Sequence, residues 1–218
     1  MMRIDGGGDL YRALEPLNLL EGKPPMWWPA YGTFEVAVGA LLTQNSQWIR
    51  VEHSLENLRE NGFLNLEAIA GADLEILTEL IRPSGLYQSK AKYLRGLCRT
   101  IVDTFGDFGR FCSETEREWL LEQRGVGPET ADSILCYACG RPEMVVDAYT
   151  ARLVAALGWE IESYEELKAW CSNGFQGDAK ALASQYALFH GMIVEYVKRY
   201  KKGRTVDTAL LCESSTKG

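Results

Sequence analysis

This chain of 218 residues lacks the features that mark several large protein classes. It has no run of about 18 apolar residues, the minimum for a membrane-spanning helix, and its first residues lack the apolar segment of a secretion signal. It also shows no alternating strand pattern, internal repeat or low-complexity segment. We therefore expect a cytoplasmic globular protein that makes no membrane contact.

Metal-ligand patterns are also scarce, although the chain contains six cysteines. Only Cys136 and Cys139 have a spacing typical of metal ligands, and no second pair lies near them in the sequence. A structural zinc site normally needs four protein ligands. We therefore expect buried, reduced thiols and no metal held by cysteine. The six positions are Cys98, Cys112, Cys136, Cys139, Cys171 and Cys212.

Positive charge is in the minority. The chain has 23 Lys and Arg residues against 30 Asp and Glu residues, which gives a formal net charge of -7. A protein of this charge does not coat nucleic acid by bulk electrostatics, but it can carry a local basic face. The candidate basic groups are the stretch 198–204 and the set Lys90, Lys92 and Arg95. Each is either a solvated helix surface or a contact for a few phosphates.

Apolar residues recur at helical spacing along most of the chain, which predicts an all-α fold. Three prolines in the segment 23–29 forbid a helix there, and we expect the polar tail beyond Gly203 to be disordered. The predicted helices cover residues 9–20, 34–42, 48–58, 65–70, 73–81, 89–102, 114–122, 128 to about 140, 150–157, 164–171 and 179–200.

The most informative stretch, residues 119–132, reads Trp-Leu-Leu-Glu-Gln-Arg-Gly-Val-Gly-Pro-Glu-Thr-Ala-Asp. A helix ends at the Gly-Val-Gly turn, and Pro128 suits the first turn of a second helix. Gly125 and Gly127 allow positive φ and leave backbone N–H groups uncovered at a helix N-terminus, where a phosphate oxygen can bind. Downstream, Asp147 follows an apolar Met-Val-Val, which predicts a partly buried carboxylate near the first turn of another helix.

The Gly-Val-Gly hairpin with Val-Val-Asp about twenty residues downstream resembles the helix-hairpin-helix DNA glycosylase superfamily, which has the endonuclease III-like fold. The alternative is an ordinary pair of helices followed by a solvated Asp147. The resemblance extends from about Trp27 to Lys202. It implies two helical domains that flank a cleft, with Asp147 at the mouth of that cleft.

The resemblance also implies the domain limits and the cofactors. Residues 30–142 would form a six-helix barrel that ends in the hairpin, and residues 1–29 with 143–218 would form a domain of N- and C-terminal helices. Many endonuclease III relatives hold a four-iron cluster on a C-terminal array of cysteines. The segment 189–198 resembles the segment that leads to this array, but the cysteines are missing. We therefore expect no iron-sulfur cluster.

Enzymes of this superfamily flip the target base out of damaged double-stranded DNA. The resemblance implies that Gln44, in Leu-Leu-Thr-Gln-Asn, fills the vacated space, and that Leu86 wedges the opposite strand. The alternatives are an exposed helix end for Gln44 and core packing for Leu86. We expect a monomer that associates with the nucleoid. The further expected DNA contacts are Lys90, Gly125, Val126, Gly127, Glu129, Thr130 and Lys198.

Excision of a base builds positive charge on the sugar, and a carboxylate near C1′ stabilises that charge. Asp147 is the candidate. Family members that also cut the backbone form a Schiff base from a hairpin lysine. The matching residue here is Glu129, which cannot form an imine, so we expect a monofunctional glycosylase. One alternative is a bifunctional endonuclease III-like glycosylase and AP lyase, with Lys198 or another lysine that reaches the cleft as the substitute amine. The other is a noncatalytic helix-hairpin-helix module that only grips DNA.

Five motifs in order resemble the 3-methyladenine DNA glycosylase III subfamily: Pro-Trp-Trp-Pro, Leu-Leu-Thr-Gln-Asn, Arg-Pro-Ser-Gly-Leu-Tyr, Arg-Glu-Trp-Leu-Leu and Leu-Cys-Tyr-Ala-Cys. The resemblance implies that Trp27 and Trp48 sandwich the flipped base, with Trp28 beside them. Alkylated purines such as 3-methyladenine carry a positive charge, which strengthens stacking on an aromatic face. The alternative is that all three tryptophans belong to the core.

Two further sites complete the expectations. Hairpin proteins of this kind often hold a monovalent cation, Na⁺ or K⁺, on backbone carbonyls. By position these carbonyls are those of Leu121, Gln123 and Val126. His190 lies on an apolar helix face, and we expect it to be a hydrogen-bonded packing residue rather than a catalyst.

Overall fold

In the computed structural model, residues 4–213 are described, the last two by their backbone alone. Nearly all of the regular structure is helical, so the predicted all-α class is confirmed. The helices are α1 (Gly7–Leu14), α2 (Phe34–Thr43), α3 (Trp48–Glu60), α4 (Leu66–Gly71), α5 (Leu74–Leu80), α6 (Tyr87–Phe105), α7 (Phe108–Glu114), α8 (Arg117–Leu121), α9 (Pro128–Ser133), α10 (Ala148–Ala156), α11 (Tyr164–Ser172), α12 (Ala179–Tyr200) and α13 (Ala209–Glu213). Shorter helical turns are Glu15–Leu17 and Arg82–Ser84, both 3₁₀, and Ile134–Ala138, which is a π-turn.

Helix ends show where periodicity predicted less well. The first helix stops at Leu14 instead of continuing to residue 20, because Pro16 lies in a 3₁₀ turn and Asn18 takes a left-handed φ of 48°. The short helix α7 was not expected; Asp107 caps it by accepting from Arg110 N at 2.8 Å. No helix in the described part of the chain is long and apolar enough to cross a membrane.

The chain divides into two compact units. One consists of the residues up to Pro29 together with those from Arg141 onward, and we call it the N/C unit. The other, the central unit, is Ala30–Gly140. Each unit is described separately below.

The N/C unit is built on α12, which has 22 residues. Asp178 caps this helix by accepting from Ala181 N at 2.8 Å. Phe189 and Tyr196 of α12 are fully buried in the unit's core, and Leu10 and Leu14 of α1 belong to the same cluster. Full burial of one such side chain stabilises a fold by about 1.5–3 kcal/mol. This packing holds α12 rigidly, and the candidate site is built against it.

The central unit is built on α2, which is buried from Val36 to Leu42 as its apolar run predicts. A buried ion pair joins α8 to α9, since Arg117 Nε donates to Asp132 Oδ1 at 2.7 Å and Arg117 Nη2 to Oδ2 at 3.3 Å. Two-pronged geometry of this kind fixes orientation as well as distance. The pair therefore holds the two helices on either side of the Gly-Val-Gly turn.

Two cysteines form a disulfide, which differs from the expectation that all thiols are reduced. Cys112 of α7 and Cys139, directly after the π-turn, have Cα atoms 4.8 Å apart. Nothing in the sequence pattern indicates the pair, because its members are 27 residues apart and α7 was not expected. The side chain of Cys212 lies outside the described part of the chain. The buried free thiols are Cys98, Cys136 and Cys171.

The segment beyond Gly203 is ordered as far as residue 213, so the expectation of disorder is wrong there. Strand β1 (Lys201–Lys202) pairs antiparallel with β2 (Thr205–Val206), and α13 follows. Tyr196 Oη donates to Asp207 O at 2.7 Å, which fastens this segment to α12. This segment is ordered by its contacts with α12, which the polar local sequence does not indicate.

Candidate active site

Asp147 is the N-cap residue of α10. The apolar residues before it, Met144 to Val146, are buried and anchor the chain at this point. Asp147 Oδ1 accepts from Thr150 N at 2.8 Å and from Thr150 Oγ1 at 3.0 Å. Aspartate is a preferred N-cap, and the positive end of the helix dipole favours its charge. The sequence therefore fixes both the position of this carboxylate and the direction of one of its oxygens.

The second oxygen of Asp147 faces His190 of α12. His190 Nε2 lies 3.4 Å from Asp147 Oδ2, and the aspartate side chain is only 13% exposed. Burial by itself raises the pKa of Asp147, but the contact with His190 and the two Thr150 donors outweigh it and hold the pKa below its ordinary value. The carboxylate is therefore ionised at neutral pH. His190 is buried, as expected of a packing residue, and its polar contact is with Asp147.

Trp27 lies on the other side of His190. The two ring centroids are 5.3 Å apart with an interplanar angle of 85°. Trp27 has a left-handed φ of 66°, which is uncommon for a bulky residue. Its Nε1 donates to Glu195 Oε1 at 3.1 Å, and Lys23 Nζ lies 3.1 Å from Glu195 Oε2. The indole is therefore fixed at both its backbone and its ring nitrogen.

Gly191 makes this position of Trp27 possible. A Cβ atom at Gly191 would lie 2.5 Å from Trp27 Cγ, closer than real Cβ contacts allow. The missing side chain lets the indole lie directly on α12. Trp28 is buried and meets Trp27 edge-on with centroids 6.1 Å apart, so it supports the first indole from the side.

Lys198 lies one turn beyond Glu195 on α12. Its Nζ lies 3.2 Å from Glu195 Oε1 and 6.0 Å from the centre of the Trp27 ring. Burial raises the pKa of Glu195, but the hydrogen bonds from Trp27 and Lys23 and the charge of Lys198 outweigh it and lower the pKa. The structure therefore places Lys198 beside Trp27, as part of a charged cluster that includes an ionised glutamate.

The hairpin in the central unit has one glycine that cannot be replaced. Gly125 has a φ of 86°, and a Cβ there would lie 2.3 Å from Tyr93 Cδ2. Gly127 differs from the expectation of positive φ, since it is an extended N-cap with φ of -98° and space for a Cβ. The Arg124 guanidinium lies 5.6 Å from the Tyr93 ring centre. The sequence pattern predicts no role for either residue. Arg124 thus adds a cation next to the hairpin turn.

Gln44 is bound to this hairpin. Its Nε2 donates to Gly125 O at 2.8 Å and to Thr130 Oγ1 at 2.9 Å. Thr130 is buried, so its hydroxyl serves Gln44 rather than a DNA phosphate. Val126 is also buried, whereas Glu129 is exposed at the start of α9. The two donors of the Gln44 carboxamide are therefore satisfied by hairpin oxygens.

Leu86 projects from the surface of the central unit. It is 64% exposed, which is large for a leucine, and it belongs to the few large apolar side chains of the described chain that are exposed. Its φ is 49°, and Gly85 before it also has a positive φ, of 67°. Two consecutive left-handed residues therefore present the side chain outward, and the alternative of core packing is wrong.

Lys90 differs from the expectation of a phosphate contact. It is 3% exposed, and its Nζ donates to Leu42 O and Ser84 O, at 2.7 Å in each case. Burial lowers the pKa of Lys90 to about 8. Helical periodicity put Lys90 in a basic group with Lys92 and Arg95, but only the tertiary contacts show that its ammonium points inward.

The remaining candidates, Trp48 and the hairpin carbonyls, lie in the central unit. Trp48 is the half-buried first residue of α3, and its pairing with Trp27 around a base stays a prediction. The carbonyl of Gln123 accepts from Val126 N at 3.0 Å, and a cation on the carbonyls of Leu121, Gln123 and Val126 also stays a prediction. Among the residues that the structure describes, no three His, Cys, Asp or Glu side chains gather as metal ligands do.

Comparison with known proteins now adds to this geometry. Residues 38–176 match the model of the HhH-GPD superfamily of base excision DNA repair proteins. A putative DNA repair glycosylase of Methanocaldococcus jannaschii is 40% identical over 181 residues, which are 80% of this chain and 80% of that protein. Endonuclease III of Thermotoga maritima is 31% identical over 126 residues, which are 58% of this chain and 57% of that protein.

A solved structure is also similar. It is the crystal structure of the H. pylori 3-methyladenine DNA glycosylase MagIII bound to 1,N6-ethenoadenine. The two chains are 41% identical and superpose with a TM-score of 0.85, over 90% of this chain and 99% of that chain.

The His190 contact leads to a first prediction. His190→Leu removes the contact that offsets the burial of Asp147 on this side, so the pKa of Asp147 should rise. His190→Gln keeps an N–H donor without the charge and should show a smaller rise. The measurement is a carboxyl-carbon NMR titration of Asp147.

The matched control is His53→Leu, since His53 is exposed on α3 in the central unit. This variant should leave the Asp147 titration unchanged. An Asp147 pKa that stays the same in His190→Leu would show that the 3.4 Å contact has no electrostatic effect.

Proposed function

The chain belongs to the HhH-GPD superfamily of base excision DNA repair proteins and is a DNA glycosylase, and from this premise we propose that it is a monofunctional enzyme for alkylated purines. It hydrolyses the N-glycosidic bond of a flipped-out damaged base and leaves an abasic site. The observation that carries the proposal is the ionised Asp147 held by His190, whose ring also packs against the indole of Trp27.

The role of Asp147 follows from the charge changes of the reaction. As the bond breaks, its electron pair leaves with the base and positive charge develops on the sugar. A nearby carboxylate stabilises that charge, and it accepts the proton of the water molecule whose oxygen bonds to C1′. An acid in this role must be ionised beforehand, and the donors from Thr150 and His190 favour the ionised form of Asp147.

The base class rests on the fixed indole of Trp27. An alkylated purine such as 3-methyladenine is cationic, and a cation binds well over the face of an indole. The similar H. pylori protein is described as a 3-methyladenine DNA glycosylase and is bound to 1,N6-ethenoadenine, which supports a modified purine as the substrate. In the proposal Trp28 supports Trp27, and Trp48 provides the opposite face of the sandwich.

The central unit supplies the elements that distort DNA in this proposal. The backbone N–H groups of Gly125 and Gly127, with the Arg124 cation, bind a phosphate, while the Val126 N–H donates to Gln123 O. Leu86 enters the stack as the wedge, and its exposure of 64% supports that role. Gln44 occupies the space left by the base. Its Oε1 can accept a hydrogen bond while Nε2 stays on the hairpin.

The proposal includes the absence of lyase activity, so the enzyme does not cut the DNA backbone. The hairpin position of the Schiff-base lysine holds Glu129, which has no amine. Lys198 lies near Trp27, and its amine favours the second candidate, a bifunctional glycosylase and lyase. Its Nζ lies 3.2 Å from Glu195 Oε1, and this contact keeps it in the charged cluster around Trp27.

Asp147→Asn should lower the rate of base release by about 100- to 1000-fold, because the isosteric amide cannot stabilise the sugar cation. Its affinity for DNA should be equal or higher, since a negative charge near phosphates has been removed. Single-turnover excision from methylated duplex DNA and a DNA-binding titration measure the two quantities.

Asp178→Asn is the matched control, because Asp178 is also an N-cap aspartate of the N/C unit and asparagine caps about equally well. It should excise normally. If Asp147→Asn excised as fast as the unaltered chain, the acid would have no catalytic role. If neither protein released a base, a noncatalytic DNA-binding module would be favoured.

A lyase test separates the first two candidates. The protein should release the base, leave the strand intact until alkali is added, and form no covalent complex when borohydride is present. Trapping of a complex would contradict the monofunctional proposal. Loss of that complex in Lys198→Met would then identify the amine.

Gly191→Ala tests whether excision depends on the position of the Trp27 indole. The added methyl group must displace an indole that lies 2.5 Å away, so excision should fall about 10- to 100-fold while the helix itself tolerates alanine well. The control is Gly96→Ala in the middle of α6, where a Cβ meets nothing within 4 Å. Equal excision by the two variants would show that the position of Trp27 does not matter for the reaction.

A further inference from the structure

We propose that Lys90 is a positioning residue that fastens the two DNA-inserting segments of the central unit to each other. These segments are the end of α2, which carries Gln44, and the turn before α6, which carries Leu86. The inference rests on the roles that the proposed function gives to Gln44 and Leu86. It assigns to Lys90 no contact with DNA and no contact with the reacting atoms.

Lys90 makes the same kind of contact with each of the two segments. Lys90 Nζ donates to Leu42 O at 2.7 Å and to Ser84 O at 2.7 Å. Leu42 lies in the last turn of α2, two residues before Gln44. Ser84 ends the 3₁₀ turn, two residues before Leu86. One ammonium thus joins the backbone of both segments directly upstream of the inserting side chains.

The ammonium also suits its surroundings. Leu42 O lies at the C-terminal end of α2, where the helix dipole favours a positive charge, and charged donors form the stronger class of hydrogen bond. An apolar side chain could fill the same volume, but it would leave two buried carbonyls without this donor. A lysine that is only 3% exposed is therefore explained by the carbonyls that it joins.

Other contacts hold the same turn from its far side. Ser84 N donates to Ser54 Oγ at 3.1 Å, and Ser54 Oγ donates to Ile81 O at 3.3 Å. Leu86 itself is exposed and cannot locate the turn by its own packing. Its position depends on the backbone that Ser54 and Lys90 hold.

Gln44 has the corresponding arrangement. Its side chain is fastened to the hairpin at Gly125 O and Thr130 Oγ1, and its backbone follows the carbonyl that Lys90 holds. Gln44 and Leu86 are therefore both held in position before DNA binds. A protein whose inserting residues are preorganised does not have to order them while it unstacks the base.

The experiment compares Lys90→Met with the unaltered chain on two DNA substrates. One is a duplex with the damaged base paired, and the other carries the same base in an unpaired bulge that needs little unstacking. Base flipping is followed by 2-aminopurine placed next to the target base, which fluoresces when it loses its stacking partner. Single-turnover excision and DNA affinity are measured in parallel.

We expect Lys90→Met to lower flipping and excision in the duplex by about tenfold or more, because the freed segments must be ordered in each binding event. Excision from the bulge should fall by less than about twofold, and so should affinity for undamaged duplex, since the hairpin is untouched. Lys90→Gln can donate from its carboxamide and should give an intermediate loss in the duplex.

Lys180→Met is the matched control, because Lys180 is exposed at the start of α12 in the N/C unit. It should behave like the unaltered chain on both substrates. The inference is overturned if Lys90→Met loses equal activity on duplex and bulge, which is the result of a general loss of structure, or loses activity on neither.

The signal on the duplex relative to that on the bulge also decides the outcome in two further cases. If Lys90→Met does not unfold cooperatively, Lys90→Gln replaces it, and an unchanged ratio in that variant overturns the inference. If the unaltered chain releases no alkylated purine, the proposed function fails. The 2-aminopurine signals then still show whether Lys90 controls base flipping.

Discussion

The structure depends on keeping one buried carboxylate ionised. A carboxyl group that is 13% exposed tends to take up a proton, because its charged form loses contact with water. Asp147 avoids this through its position at the start of α10, where two donors of Thr150 hold one oxygen, and through His190, which faces the other. The same donors also restrict rotation of the carboxylate. A single arrangement therefore fixes both the charge of the acid and its direction.

A short stretch of α12 supplies most of the surroundings of that acid. His190 contacts Asp147, Gly191 leaves space for Trp27, and Glu195 accepts from the indole nitrogen. Because all three belong to one long helix with a buried face, the acid and the aromatic wall share a rigid support. Precise placement of a reacting group favours side chains on regular elements over side chains on loops. The irregular segment that carries Trp27 gains its rigidity from this helix.

Local patterns in the sequence predicted the helices, the hairpin and Asp147, because periodicity, glycine turns and capping residues act over a few residues. They could not predict contacts between distant segments. Lys90 appeared to be part of a basic surface, since its two acceptors follow from packing with residues as far as 48 positions away. His190 is buried on an apolar face, and only the fold brings Asp147 to it. The disulfide of Cys112 with Cys139 was hidden for the same reason.

The acidic composition explains why so much of the central unit is preorganised. A chain with a net charge of -7 gains little from long-range attraction to DNA, so its affinity must come from a few local phosphate contacts. Such a protein has little binding energy to spend on ordering its own loops in addition to unstacking a base. The Arg117–Asp132 pair that holds the hairpin, the Gln44 bonds to it and the Lys90 ammonium all remove that cost before binding. In the proposed function, rigidity in the segments that carry Gln44 and Leu86 thus compensates for weak electrostatic attraction.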